Sequence, residues 1–406
     1  MTSFLSRTSR YWILLILLLG LALRLGYVLT EPFELPEHDQ KNYTEMAVRL
    51  LDHGVYGYLE EEPNTLVTPG FPLFLALVFK LFGYGDIAQA HMNVRILQAF
   101  LSLVILWYLY RTGERLFNRP AGLLAALFAA VYGPFVMAAS LILTEILFLA
   151  LLSALLYYQV RIMQENRTRD HIIAGLLLGL LVLTRPNAII LAATPYVFLW
   201  FRHRKPFFRE IAIGVGCFAL AMLPWWVRNW LTFHELILVS RGGAGNPFLF
   251  GTIPYNQGSI DWTKVQNGDQ FGAGVERIKE GLREDPWLWI RWYTIGKMST
   301  MYLDNIYMWP YTESVPVWYK ALLGKLHYFL VYTGMFFAAV ASLWNTGVRF
   351  LAVQLVLFLG LHLLFVPETR YTLGTFPMLM LITAYILIKA IRYAGGSFKR
   401  RTAGRA

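Results

Sequence analysis

The stretch "YWILLILLLGLALRLGYVLT", residues 11–30, decides what kind of chain this is. It is an apolar run of 20 residues interrupted by one arginine, Arg24, near its far end. About 20 apolar residues in a helix cross the hydrocarbon core of a bilayer. No small-residue cleavage site precedes the following "EPFELPEHD", so the run reads as a retained helix and not a signal peptide. Further apolar runs lie near 92–110, 121–139, 142–160, 171–184, 187–201, 211–227, 321–343, 348–366 and 372–391, which makes ten with the first. The composition agrees. The 406 residues are 57% apolar and 15% charged, with mean hydropathy +0.47. Soluble domains carry about a quarter charged residues. The expectation is an all-α polytopic membrane protein of about ten spans.

Lysine and arginine placement sets the orientation. With the N-terminus inside, segments 1–10, 111–120, 161–170, 202–210, 344–349 and 389–406 are cytoplasmic. They hold 19 Lys and Arg against 4 Asp and Glu. The rest of the chain holds 17 against 21. The net charge of +11 is therefore a positive-inside signal and not a nucleic-acid surface. Both termini are expected in the cytoplasm and any chemistry on the other side. Two apolar stretches do not fit as spans. The runs 69–85 and 285–303 read as helices lying against the outer face, the first because it is short, the second because it carries Arg291, Lys297 and many aromatics. The boundaries that follow are a catalytic unit over 1–392, with outer loops 31–91 and 228–319, and a basic tail over 393–406. The single cysteine, Cys217, rules out an intrachain disulfide, and no zinc-like spacing occurs.

The polar residues cluster in the expected outer layer. After the first run comes "PEHDQKNYTEMAVRLLDHG", residues 36–54, in which Tyr43, Met46, Ala47, Leu50 and Leu51 share one helical face, ending at Gly54. That face is expected to lie on the membrane. Asp39 stands at the helix start, as an N-cap, as a fixed general base, or both. Glu145 opens the fourth apolar run, where an acid faces a cavity or a partner. Arg24, Arg95 and Arg185 fall near outer helix ends and, with Arg370 and Lys297, offer cations to an anionic head group. His38 and His53 are the nearby imidazoles; neither has the companions of a metal site.

Together these motifs resemble the bacterial membrane glycosyltransferases of the GT-C superfamily, specifically the glycosyltransferase family 39 type, with its protein O-mannosyltransferase and aminoarabinose-transferase relatives. The residues that carry the resemblance are "HDQKNYTEMAVRLLDHGVYG", "TPGFPLFLALVFKLFG", "TEILFLALL", "LTRPNAIIL", "PWWVRNW" and "ETRYTLGTFPML", in that order along most of the chain. The resemblance implies a GT-C-type helical bundle in a bacterial plasma membrane. It implies transfer of a sugar from a polyprenyl-phosphate donor to a lipid, glycan or protein acceptor at the extracytoplasmic face. It implies catalytic roles for Asp39 and Glu145, and substrate contacts from His38, Tyr43, Arg95, Arg185, Lys297, Arg370 and Tyr371. The chain departs from the aminoarabinose type at "LVTPGFP", which lacks the acid and lysine found there, and this counts against a metal built on that acid. No cofactor is indicated by the sequence, and a divalent metal stays open as an alternative. Two other classes share parts of the pattern: a transporter or flippase of lipid-linked sugars, and a polysaccharide polymerase or ligase.

Overall fold

The computed structural model describes residues 2–31, 37–243, 245–265, 268–304 and 317–403. The expected outer segments 31–91 and 228–319 and the tail 393–406 therefore fall partly outside the described residues. Among those residues the chain is helical, with no strand. The helices are α1 (Thr2–Thr30), α2 (His38–His53), α3 (Gly70–Phe82), α4 (Ile87–Leu116), α5 (Arg119–Val131), α6 (Gly133–Met137), α7 (Glu145–Glu165), α8 (Thr168–Thr184), α9 (Thr194–His203) and α10 (Phe208–Phe233). They continue with α11 (Gly245–Phe250), α12 (Gln270–Glu284), α13 (Pro286–Arg291), α14 (Lys297–Ser299), α15 (Val317–Ala341), α16 (Thr346–His362) and α17 (Phe376–Ala403).

Each of the ten apolar runs coincides with a helix or a broken helix. Among the described residues, five helices can cross a bilayer by length and hydropathy, or seven if each of two bent pairs is one span. The expected ten spans are not confirmed on that criterion, because α8 and α9 are short and α15 and α16 count together as one bent pair. One bent pair joins α5 to the segment 133–140 at 62°; the other joins α15 to α16 at 119°.

Local chemistry sets the breaks. Asp86 caps α4 by accepting from the backbone N–H groups of Ala88 and Gln89, and Asn118 caps α5 ahead of Pro120. α5 stops where Gly133 and Pro134 follow Tyr132. Its last carbonyls do not go unpaired: Arg24, fully buried on α1, donates to Ala129 O and Ala130 O at 3.0 Å each. Arg24 is thus committed to a helix end, which removes it from the set of cations open to a head group. α8 ends before Arg185–Pro186, where the residue preceding proline is extended (φ −143°, ψ 112°).

The core runs through α4, α5, α7 and α17. A smaller cluster joins α2, α3 and α4 through Ala47, Phe71, Phe79 and Val94. The apolar face read from 43–51 is real, and Gly54 ends α2 in the left-handed region (φ 68°) with its N–H on Leu50 O. The face is covered, however, by protein: Met46 and Ala47 are fully buried, and the Tyr43 ring meets Phe71 at 5.2 Å. α3 slides under α2 and does this in place of lipid. The run 285–303 forms α13 and α14 linked by π-helical turns at 292–296 and 300–304.

The two ends of the bundle differ in chemistry. Arg115–Glu165 (2.6 Å), Arg161–Asp170 (3.1 Å) and Arg119–Glu114 (2.7 Å) interlock at one end. Glu145 lies at the other, about 30 Å away along α7 at 1.5 Å per residue.

Candidate functional site

At the Glu145 end, α2, the start of α7, the break after α8, the end of α16 and the 3-10 turn at Thr369–Thr375 enclose a cavity of about 440 Å3. Asp39, Tyr43, Arg185, Asn187, Arg370 and Tyr371 are among its lining residues. α2 is held over it by two polar links. Gln40 Oε1 accepts from the Ile142 N–H at 2.9 Å, and the Thr44 hydroxyl lies 2.9 Å from His91 Nε2.

Asp39 does not cap α2. The N-cap is Glu37, with no side-chain capping bond, and Asp39 sits in the first turn. Its oxygens are used elsewhere: Oδ2 accepts from Arg370 Nη1 at 2.7 Å and Oδ1 from the Tyr58 hydroxyl at 2.9 Å. Burial pushes the Asp39 carboxyl up, but the Arg370 guanidinium and the Tyr58 hydroxyl outweigh it and hold the group below the ordinary carboxylate value of 3.8. Burial pushes the Tyr43 and Tyr58 phenols up, so both stay protonated.

A second ion pair joins the start of α7 to the break after α8. Arg185 Nη2 donates to Glu145 Oε1 at 2.7 Å and its Nε donates to the Thr144 hydroxyl at 2.7 Å. The guanidinium lies over the Phe148 and Tyr371 rings at 5.2 and 5.9 Å. Glu145 is 1% exposed and sits behind Arg185. Being in the first turn of α7, it is also favoured by the helix dipole. Three atoms of this region are buried without a hydrogen-bond partner among the described residues: Glu145 Oε2, Asn187 Oδ1 and Arg370 Nε. Buried polar atoms are normally paired, so such a group beside a cavity marks a place prepared for a polar ligand.

The cavity thus gathers Asp39, Tyr43, Arg185, Arg370 and Tyr371 from the sequence-derived set, with Glu145 directly behind. It does not gather the other three. Arg95 is buried on α4 one turn after His91. His38 is exposed at the α2 start with φ 47°. Lys297 is fully buried and donates to Leu363 O (2.8 Å) and Phe365 O (2.9 Å), closing the end of α16. Its ammonium also lies 3.9 Å from the Tyr293 ring centre. Burial pushes Lys297 down to about 7.

Sequence reasoning missed Tyr58, Asn187 and His362. Asn187 Nδ2 and His362 Nε2 lie 2.8 Å apart across the cavity wall. Asn187 follows Arg185 by two residues in "TRPN", and that proximity was a usable signal. His362 is a lone imidazole in an apolar run and gave none. Among the described residues no three His, Cys, Asp or Glu side chains come together, and both Asp39 oxygens face hydrogen-bond donors, one of them a cation.

The architecture has counterparts among solved structures. The oligosaccharyltransferase AglB of Archaeoglobus fulgidus, in complex with an inhibitory peptide and a dolichol-phosphate, superposes with TM-score 0.58 at 14% identity, over 99% of this chain and 52% of that one. The apo form from the same organism gives TM-score 0.56 at 14% identity, over 95% and 52%. The fold is the one seen in these archaeal oligosaccharyltransferase structures. The chain spans about half the length of those proteins. Its residues 66–227 match the family described as dolichyl-phosphate-mannose-protein mannosyltransferase, a segment running from the cavity-lining Leu66 into the last third of α10. ArnT from Cupriavidus metallidurans bound to undecaprenyl phosphate aligns at 15% identity over 94% of this chain and 78% of that one, with TM-score 0.41. A search of curated sequences finds no match.

Proposed function

We propose that this protein is an integral membrane glycosyltransferase that moves a sugar from a polyprenyl-phosphate donor to an acceptor at the extracytoplasmic face. The observation that carries the reading is the pair of arginines, Arg185 and Arg370, facing one cavity with a fixed carboxylate, Asp39, between α2 and the Thr369–Thr375 turn. The GT-C fold and the mannosyltransferase match over 66–227 support it. The lysine and arginine bias supports an extracytoplasmic position for this end of the bundle.

The chemistry follows from the groups present. The acceptor hydroxyl gives its proton to Asp39, whose oxygens keep lone pairs beyond those used by Arg370 and Tyr58. The acceptor oxygen bonds to the anomeric carbon as the bond from that carbon to the phosphate oxygen breaks. The phosphate leaves with the electron pair. Its growing negative charge falls to Arg185, whose guanidinium is oriented by Glu145 and Thr144 before any ligand arrives. With Asp39 as the base and Arg185 at the leaving phosphate, a single displacement inverts the anomeric centre. Tyr43 and Tyr371 supply aromatic surface to the sugar and to the arginine. The catalytic unit extends over 1–392, with 393–406 as a basic cytoplasmic tail.

The test is an assay of the purified chain with a panel of polyprenyl-phosphate sugars, read by mass spectrometry. Release of polyprenyl phosphate with a glycosylated acceptor supports the reading. No turnover of any donor by a folded preparation, with intact donor accumulating on one side of proteoliposomes, would move the protein to the transporter class.

A further inference from the structure

The far end of the bundle carries a second, unrelated feature. α10 leans on α8 alone for most of its length. The two come close because glycines face each other: a Cβ on Gly175 would stand 2.3 Å from Gly214 O. This contact holds α10 against α8, and α9 reaches both through Tyr196, whose hydroxyl lies 3.2 Å from His171 Nδ1, leaving a gap lined by all three helices. The gap is an apolar groove of about 640 Å3, within the roughly 300–1,000 Å3 of ligand sites. Leu178, Ile189, Ala193, Trp200, Ile211 and Val215 line it, and α7 gives the floor.

The groove runs into a polar mouth through a shared residue, Phe207. The mouth is a smaller pocket of about 220 Å3 that includes Met163, Arg202, His203 and Lys205. The segment "FRHRKPFFR", 201–209, has five basic residues and no acid. Glu210, which follows this segment, lies toward His171 and Tyr196; Glu165, the carboxylate lining the mouth, is already held by Arg115 (2.6 Å), Arg161 (3.3 Å) and Arg167 (3.2 Å). The cations of the loop are therefore not neutralised by it. Arg202 spends one donor on Met163 O at 3.3 Å and has others to offer, and Lys205 stands over the Phe207 ring at 5.6 Å. A greasy slot that ends under a cluster of cations matches one chemistry.

We propose that this groove holds an anionic phospholipid, with an acyl chain lying between α8, α9 and α10 and the phosphate on Arg202 and Lys205. The basic mouth lies at the Glu165 end, away from the Asp39 cavity, while the apolar wall starts at Ile189, two residues after the cavity-lining Asn187; the binding does not depend on the transfer reaction. The lipid would brace α9, the short helix that follows Arg185 and so fixes one wall of the candidate active site.

Lipid retention tests this directly. The purified chain in detergent is titrated with phosphatidylglycerol and with phosphatidylcholine of the same acyl composition, and bound lipid is counted by native mass spectrometry. One phosphatidylglycerol per chain is expected, in preference to phosphatidylcholine. Both basic side chains are exposed, so Arg202→Ala/Lys205→Ala leaves the fold intact and lowers phosphatidylglycerol affinity by about thirtyfold, the worth of two cations near a lipid surface. Ala193→Trp, at an exposed position inside the groove, removes the bound lipid with all charges in place. Equal retention of both lipids, or retention unchanged in both variants, overturns the proposal. So does a preference for polyprenyl phosphate over phosphatidylglycerol, or loss of lipid only on formation of a dimer.

Discussion

Replacing Asp39 by asparagine separates catalysis from architecture, because the two costs have very different sizes. Asparagine is nearly isosteric and keeps an oxygen for the Tyr58 hydroxyl. What it loses is the charge facing Arg370 at 2.7 Å. The two side chains are 37% and 27% exposed, so water screens the pair. A surface pair is worth about 0–1 kcal/mol and breaking a fully buried one costs about 3–5 kcal/mol. With Asp39 more than a third exposed, the lower end applies, and the variant loses about 1 kcal/mol of stability or less. The reaction loses more. A positioned base contributes about 10²–10⁴-fold, which is roughly 3–5 kcal/mol of barrier at 1.36 kcal/mol per decade. Asp39→Asn is therefore expected to unfold in detergent within a few degrees of the parent while kcat falls at least a hundredfold, with donor KM little changed. Single-turnover transfer from a polyprenyl-phosphate sugar, run beside thermal unfolding, reads both. A folded variant with kcat within about tenfold of the parent refutes the base assignment; a variant that is inactive because it is unfolded refutes the energetic argument.

Arg370→Gln removes the cation that opposes burial at Asp39. The parent carboxyl sits below 3.8 and stays ionised down through the mildly acid range; without Arg370 burial prevails, the pKa rises, and the acid limb of the kcat/KM profile moves to higher pH. An unmoved limb would detach Asp39 from that limb. Glu145→Gln leaves the Arg185 charge unpaired in a buried setting and should destabilise the chain by about 3–5 kcal/mol. Glu145→Gln/Arg185→Gln should recover part of that stability but not transfer, and equal unfolding of the single and double variants would contradict the pair's role. Lys297 has a folded pKa of about 7 against an ordinary 10.5, so between those values the unfolded chain binds the extra proton. Stability should rise with pH across that window, by up to about 1.4 kcal/mol per unit. Thermal unfolding from pH 7 to 9 should show the slope in the parent and a flatter one in Lys297→Met.

The acids and cations of the site were legible one at a time, for a physical reason. An Asp at the head of an amphipathic segment, a Glu opening an apolar run and an Arg before a proline each violate a local pattern, and a violation is visible without coordinates. Their partners were not legible. Arg370 meets Asp39 across 331 residues of chain and Arg185 meets Glu145 across 40. Nothing local to either residue encodes that distance. The same limit explains the cations that went elsewhere. Arg24 and Lys297 have the same sequence signature as Arg185, a charge near the end of an apolar stretch, yet each caps carbonyls of another helix. The unpaired carbonyls that attract them exist only after helices α5 and α16 have ended beside them.

The sequence by itself determined where the helices run, that the chain belongs in a bilayer, and that α2 has an apolar face. Apolar periodicity and lysine and arginine bias are properties of short windows, and the bilayer acts on each window separately. Tertiary structure decided what covers each face and which charge meets which. It put α3 where lipid was expected under α2, set Asp39 against Arg370 and not at a helix cap, and drew α8 to α10 so that a groove opened beside α9. Those outcomes depend on close packing between segments far apart in the chain, where a difference of one helical turn decides which side chains touch.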